Sequence, residues 1–172
     1  MTIKLLLTSF QTWLPHQISN SSDDLLKIME KQQDNFNYLC FLRKLPVNTQ
    51  LATQKVIETI KIINPQGIIC CGMAESRQIL TIESNAVCEE DCIVTQINLD
   101  SLLASLVHTA ISHNAGKFVC EGLYYQVLKY TQNNHPNIPC IFVHIPILHT
   151  DNLDKIKQDF NTIINFMHSN CN

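Results

Sequence analysis

Short, uninterrupted apolar runs alternate along this chain with segments whose apolar residues recur at helical spacing, and this alternation narrows the fold more than any other feature. Residues 3 to 8, 68 to 71 and 139 to 145 are almost wholly apolar, as strands covered on both faces are. Residues 37 to 45 alternate as a further strand, closed by Pro46. Between the runs, Leu25, Leu26, Ile28 and Met29 follow the N-cap candidates of Asn20-Ser21-Ser22-Asp23. Leu51, Val56, Ile57, Ile60 and Ile63 form a second helical pattern, stopped by Pro65-Gln66-Gly67. A last helix starts at Thr150 or Asp151 and carries Leu153, Ile156, Phe160, Ile163, Ile164 and Met167 on its apolar face. The pattern predicts an α/β fold, a three-layer α/β/α sandwich on a central, mostly parallel, twisted sheet, as one domain over residues 1–172. The stretch from 79 to 97 reads as two extended segments, 79 to 87 and 92 to 97, that add antiparallel strands. A short helix capped by Asn98 or Asp100 then runs through Leu106.

A formal charge of −3 and a pI near 6.1, with scattered lysines, argue against a nucleic-acid partner. No segment approaches the ~20 apolar residues that span a bilayer. The first apolar run is shorter than a signal peptide's hydrophobic region, so the expected compartment is the cytoplasm and the eight cysteines are expected reduced. Cys40, Cys70, Cys71 and Cys140 lie in strand-like runs, where cysteine behaves as a small hydrophobe. Cys88 and Cys92 with His108 and His113 lack the paired Cys-x-x-Cys spacing of zinc knuckles, so neither a metal nor a cofactor is expected.

The chemistry concentrates at three places. Leu106 to Ser112 reads as a strand, Asn114-Ala115-Gly116 as a turn, and Phe118, Val119, Leu123, Val127 and Leu128 as a helix with Cys120 near its start. The positive end of a helix dipole lowers a thiol's pKa, which predicts thiolate at neutral pH. His144 interrupts the apolar run Ile-Phe-Val-His-Ile, and Glu83 ends Leu-Thr-Ile-Glu. A titratable group on a buried strand needs a partner. A histidine can serve a thiol as general base, and a carboxylate can hold that imidazole in one tautomer. A core histidine bonded to a carbonyl and a water-exposed edge glutamate are the competing readings. His113 is a rival base, whereas His16, His135, His149 and His168 fall in loops or near the C-terminus.

Together these blocks resemble the pyroglutamyl peptidase I (pyrrolidone carboxyl peptidase) family of cysteine peptidases. Ser112, Ala115, Gly116, Val119, Cys120 and Tyr125 match its nucleophile block in register. Phe142-Val143-His144-Ile145-Pro146 resembles its histidine block, and Gly72, Ala74, Arg77, Leu80, Thr81 and Glu83 its glutamate block. Phe10, Trp13 and Asn20-Ser21-Ser22 match the N-terminal block more loosely. The resemblance implies a hydrolase that removes N-terminal pyroglutamate from peptides. Cys120 would attack the carbonyl borne by the lactam ring, His144 would move the proton and Glu83 would orient the imidazole. Phe10, Trp13 and Met73 would sit at the substrate, and a homo-oligomer is left open.

The chain departs from the family pattern around the pocket. Met73 replaces a glutamine, Glu75-Ser76 a Gly-Gly pair and Glu121 an asparagine. Glu89-Glu90-Asp91-Cys92-Ile93 stands where the family carries an active-site arginine, and the segment between Glu83 and Cys120 is shorter. Two further readings follow from those changes: a Cys-His hydrolase of another small N-acyl amide, and a non-catalytic relative that binds a small ligand or partner.

Overall fold

The computed structural model describes residues 4–32 and 37–171. Among them the chain forms β1 (Leu5–Phe10), α1 (Ser21–Glu30), β2 (Leu39–Leu45), α2 (Thr49–Ile63), β3 (Gly67–Met73), β4 (Leu80–Glu83), β5 (Asn85–Cys88), β6 (Asp91–Val94), α3 (Leu99–Leu103), β7 (Thr109–Ser112), α4 (Val119–Asn134), β8 (Cys140–Ile145) and α5 (Leu153–Ser169). Ile3, the first residue of the expected run, lies outside the described residues.

The main sheet has the order β2-β1-β3-β8-β4-β7. β1 pairs in parallel with β2 and β3, and β3 with β8. The chain steps outward from β1 to β2 through α1, then back past β1 to β3 through α2. Right-handed crossovers taken in opposite directions put those two helices on opposite faces. β4 runs antiparallel to β8, and β7 parallel to β4. β5 and β6 form a separate antiparallel hairpin. The expected extended segment at 79–87 therefore breaks at Ser84, whose N–H donates to Ser112 O and whose carbonyl accepts from Thr95 N–H.

Strand alternation divides the interior into two layers. Leu5 and Leu7, Ile69 and Cys71, Leu80 and Ile82, and Ile141, Val143 and Ile145 pack with α1 and α5. Leu6, Ile68 and Cys70, Cys140 and Phe142 pack with α2 and α4. Asparagines cap three helices: Asn20 Oδ1 accepts from Ser22 N–H, Asn48 from Leu51 N–H and Asn98 from Ser101 N–H.

One expected strand is shortened for a local electrostatic reason. The run from Leu106 becomes strand only at Thr109, because the backbone N–H groups of Val107 and His108 turn to the buried Asp159 carboxylate, at 3.2 and 2.7 Å. The Thr109 hydroxyl donates to the same carboxylate at 2.7 Å. α3 likewise stops at Leu103, short of the expected Leu106.

A second buried carboxylate joins β1, α1 and β2. Asp23 accepts from the Ser9 hydroxyl at 2.9 Å and from Arg43 through Nε and Nη2 at 2.8 and 2.9 Å. Burial alone would raise its pKa, but the bonds from Arg43 and Ser9 outweigh burial and hold it below the ordinary 3.8. The network therefore adds stability above the unfolded-state value and loses it as the pH falls through the lower native one. In chemical denaturation between pH 5 and pH 3, unfolding free energy should fall less in Asp23→Asn than in the wild type. Arg43→Met, which strands the carboxylate, should cost about 3 kcal/mol at neutral pH. Equal acid sensitivity with and without Asp23 would show that the network is not a source of pH-dependent stability.

Candidate active site

The two-residue period of the strands decides which side chains meet. His144 shares its face of β8 with Cys140 and Phe142, and Thr81 and Glu83 lie on the face of β4 opposite Leu80 and Ile82. Both strands thus turn their polar residues toward the layer that holds α4. The antiparallel register sets Thr81 beside His144 and Glu83 beside Phe142. The His144 and Phe142 rings lie 4.8 Å apart along the strand.

His144 Nδ1 lies 2.7 Å from Glu83 Oε1, with the histidine 4% exposed and the glutamate 0%. A carboxylate is only an acceptor, so Nδ1 carries the proton and donates it, leaving Nε2 of the neutral ring with its lone pair. Arg77 donates from Nη1 to the same Oε1 at 2.6 Å and also to the Thr81 hydroxyl. The 3.4 Å between Nη1 and Nδ1 is the approach of two donors that share one acceptor. Burial alone would raise the Glu83 pKa, but the bond to His144, with Ser112 and Arg77 beside it, holds it below the ordinary carboxylate value.

Cys120 is the second residue of α4. Asn114-Ala115-Gly116 forms the preceding turn, where Asn114 Oδ1 accepts from Gly116 N–H and Gly116 adopts φ +93°, a conformation open to glycine. The N-cap residue, Phe118, supplies no side-chain cap, in contrast to the asparagines of α1, α2 and α3. The Cys120 sulfur lies over Gly72 of β3: a Cβ at that position would come within 2.7 Å of Sγ and 2.9 Å of the Phe142 ring. Gly72 is the register partner of His144. The sulfur thus sits over the strand next to the one that carries the imidazole; adjacent strands lie about 4.8 Å apart.

The thiol and the imidazole are not hydrogen-bonded to each other in this resting arrangement. The expectation of a lowered thiol pKa is also overturned. Burial pushes Cys120 up to about 12, reinforced by Cys70 and the Glu83 charge, against the helix-start N–H and Arg77. A helix terminus typically contributes only ~0.3–1 kcal/mol, whereas removing a thiolate from water costs several times that. The resting cysteine is a neutral thiol.

The remaining expected site residues are distributed around this centre. Trp13 meets Phe118 at a tilt, ring centroids 5.3 Å apart, and the two residues are 46% and 66% exposed, which places an aromatic wall beside the start of α4. Phe10 is buried at the end of β1 in the layer beneath α2 and α4. Met73 faces the other side of the sheet, where its sulfur accepts from Ser21 N–H at 3.4 Å, and it lines a cleft of about 330 Å³ with Gln17, Ile18, Ile147 and Leu148. His113, the rival base, is bonded to the Ser84 hydroxyl at 2.7 Å instead. No group of three or more His, Cys, Asp or Glu side chains suited to a metal occurs among the described residues. Sequence patterning took Phe118 as part of the helix's apolar face and attached no role to Arg77. The signal for Arg77 was the carboxylate ending an apolar strand, which requires a cation nearby.

The pyroglutamyl peptidase family model matches residues 96–166, a span that includes Cys120 and His144. The pyrrolidone-carboxylate peptidase of Thermoanaerobacter sp. (strain X514) is 27% identical, covering 89% of this chain and 87% of its own. That alignment runs over 185 positions, more than the 172 residues here, so the relative carries residues that this chain lacks. The pyrrolidone-carboxylate peptidase of Brachyspira hyodysenteriae is 24% identical over 93% of this chain and 91% of its own. Among solved structures, pyroglutamyl peptidase I of Bacillus amyloliquefaciens superposes with a TM-score of 0.80 at 20% identity, covering 99% of this chain and 95% of that one. The pyrrolidone carboxyl peptidase of Thermococcus litoralis gives 0.78 at 17% identity over 97% and 96%. In its sequence blocks, its fold and its relatives alike, the chain is similar to the pyroglutamyl peptidase I family of cysteine peptidases.

Proposed function

We propose that this protein is a cysteine peptidase that releases N-terminal pyroglutamate from peptides, with Cys120 as nucleophile, His144 as general base and acid, and Glu83 as the group that orients the imidazole. The observation that carries this reading is the convergence of three distant chain segments. A buried Glu83–His144 pair faces α4, and the Cys120 sulfur rests over Gly72, at the register position beside His144.

In this reading the thiol stays protonated until substrate arrives, because its surroundings oppose a standing thiolate. As Sγ moves toward β8 and attacks the carbonyl carbon that the lactam ring bears, its proton passes to His144 Nε2. The imidazolium is stabilised by Glu83 through Nδ1. The N–H groups at the uncapped start of α4 face the developing oxyanion. His144 then returns the proton to the leaving amine, the C–N bond breaks and a thioester remains. Water deprotonated by the same Nε2 hydrolyses the thioester, releasing pyroglutamate and restoring the thiol. The lactam ring is compact, uncharged and largely hydrocarbon, which suits an aromatic wall of Trp13 and Phe118 backed from the core by Phe10. Met73, on the far face of β3, is assigned to the rim of the neighbouring cleft.

A pyroglutamyl-amide reporter should be cleaved by the purified protein, and Cys120→Ala should remove that activity by about four orders of magnitude with an unchanged fold. Wild type and Cys120→Ala that are equally inert would sink the assignment; activity confined to other N-acyl amides would move it to a different substrate. Gly72→Ala tests the geometry of the nucleophile. The added methyl must displace either the sulfur or the Phe142 ring, so kcat/KM should fall about a hundredfold in a protein that still unfolds cooperatively. Full activity in Gly72→Ala would mean that the sulfur does not work from this position.

A further inference from the structure

Glu83 poses an electrostatic problem that the proposed triad does not solve. A carboxylate placed to orient His144 also puts a negative charge close to the sulfur, where it opposes the thiolate character that the sulfur gains as its proton leaves. The carboxylate is fully buried, and Arg77 is the cation within ion-pair distance of it among the described residues. Both Arg77 and His144 bond to Oε1, while Oε2 is buried with no hydrogen-bond partner among the described residues. Compensation is therefore delivered at the same oxygen that holds the imidazole.

The other end of the guanidinium reaches toward the nucleophile segment. Arg77 Nη2 donates to Asn114 O at 3.0 Å and to the Ser112 hydroxyl at 3.3 Å, at the start of the turn that leads through Gly116 into α4. The Ser112 hydroxyl in turn donates to Asn114 O at 3.2 Å and accepts from Asn114 N–H at 3.3 Å. One side chain thus spans from the acid–base pair to the loop that positions Cys120. The planar fork of arginine makes these bonds at once, which a lysine ammonium on the same stem does not.

We propose that Arg77 is a positioning residue for this reaction: it neutralises Glu83, so that the carboxylate orients His144 without opposing the thiolate, and it holds the pair in register with the Cys120 turn. The inference rests on the reading of Cys120, His144 and Glu83 given above. The ionisable groups facing the sulfur and the imidazole are Glu83 from β4, Cys70 from β3 and Arg77 itself, so loss of Arg77 leaves Glu83 as the uncompensated charge.

A double-mutant cycle of Arg77→Met with Glu83→Gln, with Arg77→Lys alongside, tests this by both turnover and stability. Arg77→Met should lower kcat on a pyroglutamyl-amide reporter about a hundredfold and change KM by less than about threefold, and in the Glu83→Gln background it should lower kcat by less than about threefold. Arg77→Lys should recover about tenfold of the loss, because it restores the charge without the fork. Thermal unfolding supplies an arm that needs no substrate: Arg77→Met should lower the midpoint by several degrees alone and by clearly less when Glu83 is Gln, the remainder reflecting its bonds to Asn114 O, Ser112 and Thr81. Equal losses in both backgrounds, by either measure, would show that Arg77 does not act through Glu83. If no variant or wild type cleaves the reporter, the functional reading fails while the unfolding cycle still decides the Arg77–Glu83 linkage. If Arg77→Met does not fold, Arg77→Lys is carried through the same cycle in its place.

Discussion

The buried charge of Glu83 is the interaction on which the rest of this site depends. A carboxylate without solvent is stable only if its charge is met by donors, and here those donors are His144 from the adjacent strand and Arg77 from the loop between β3 and β4. Meeting that need fixes the imidazole tautomer and ties the loop between β3 and β4 to Glu83 through Arg77. It also brings the 112–116 turn, through Asn114 O, against the same guanidinium. A requirement that looks purely structural therefore assembles the geometry that thiol chemistry needs.

Cys120 shows the same competition with a different winner. Local reasoning from a helix N-terminus favours a thiolate, but the sulfur is packed over Gly72 and the Phe142 ring, and desolvation dominates. The consequence is a side chain that favours the neutral thiol. Cys88 and Cys92, by contrast, are exposed.

Much of the architecture was legible because it follows from periodicity. The runs at 68–71 and 139–145 became β3 and β8, the spacing from Leu51 to Ile63 became α2, and the polar residues His144 and Glu83 stood out as exceptions within apolar strands. The failures share a cause. The strand expected from Leu106 starts at Thr109 because Asp159, 51 and 52 residues further along the chain, takes the amides of His108 and Val107. Phe118 fits a helical apolar stripe, yet it faces outward to meet Trp13 from a loop near the N-terminus. Met73 follows the site glycine directly, and for that reason points to the opposite face. In each case the deciding partner is distant in sequence or set by strand parity.

The sequence by itself determined the alternating α/β order, singled out Cys120, His144 and Glu83 as candidates and carried the resemblance that links them, because strand and helix periods and residue chemistry are local properties. Only the tertiary structure decided that His144 and Glu83 share a face, that the Cys120 sulfur rests at the register position next to His144, and that Arg77 closes the charge balance. Those facts arise from strand register and burial, which bring together segments far apart in the chain and set the dielectric in which their charges act.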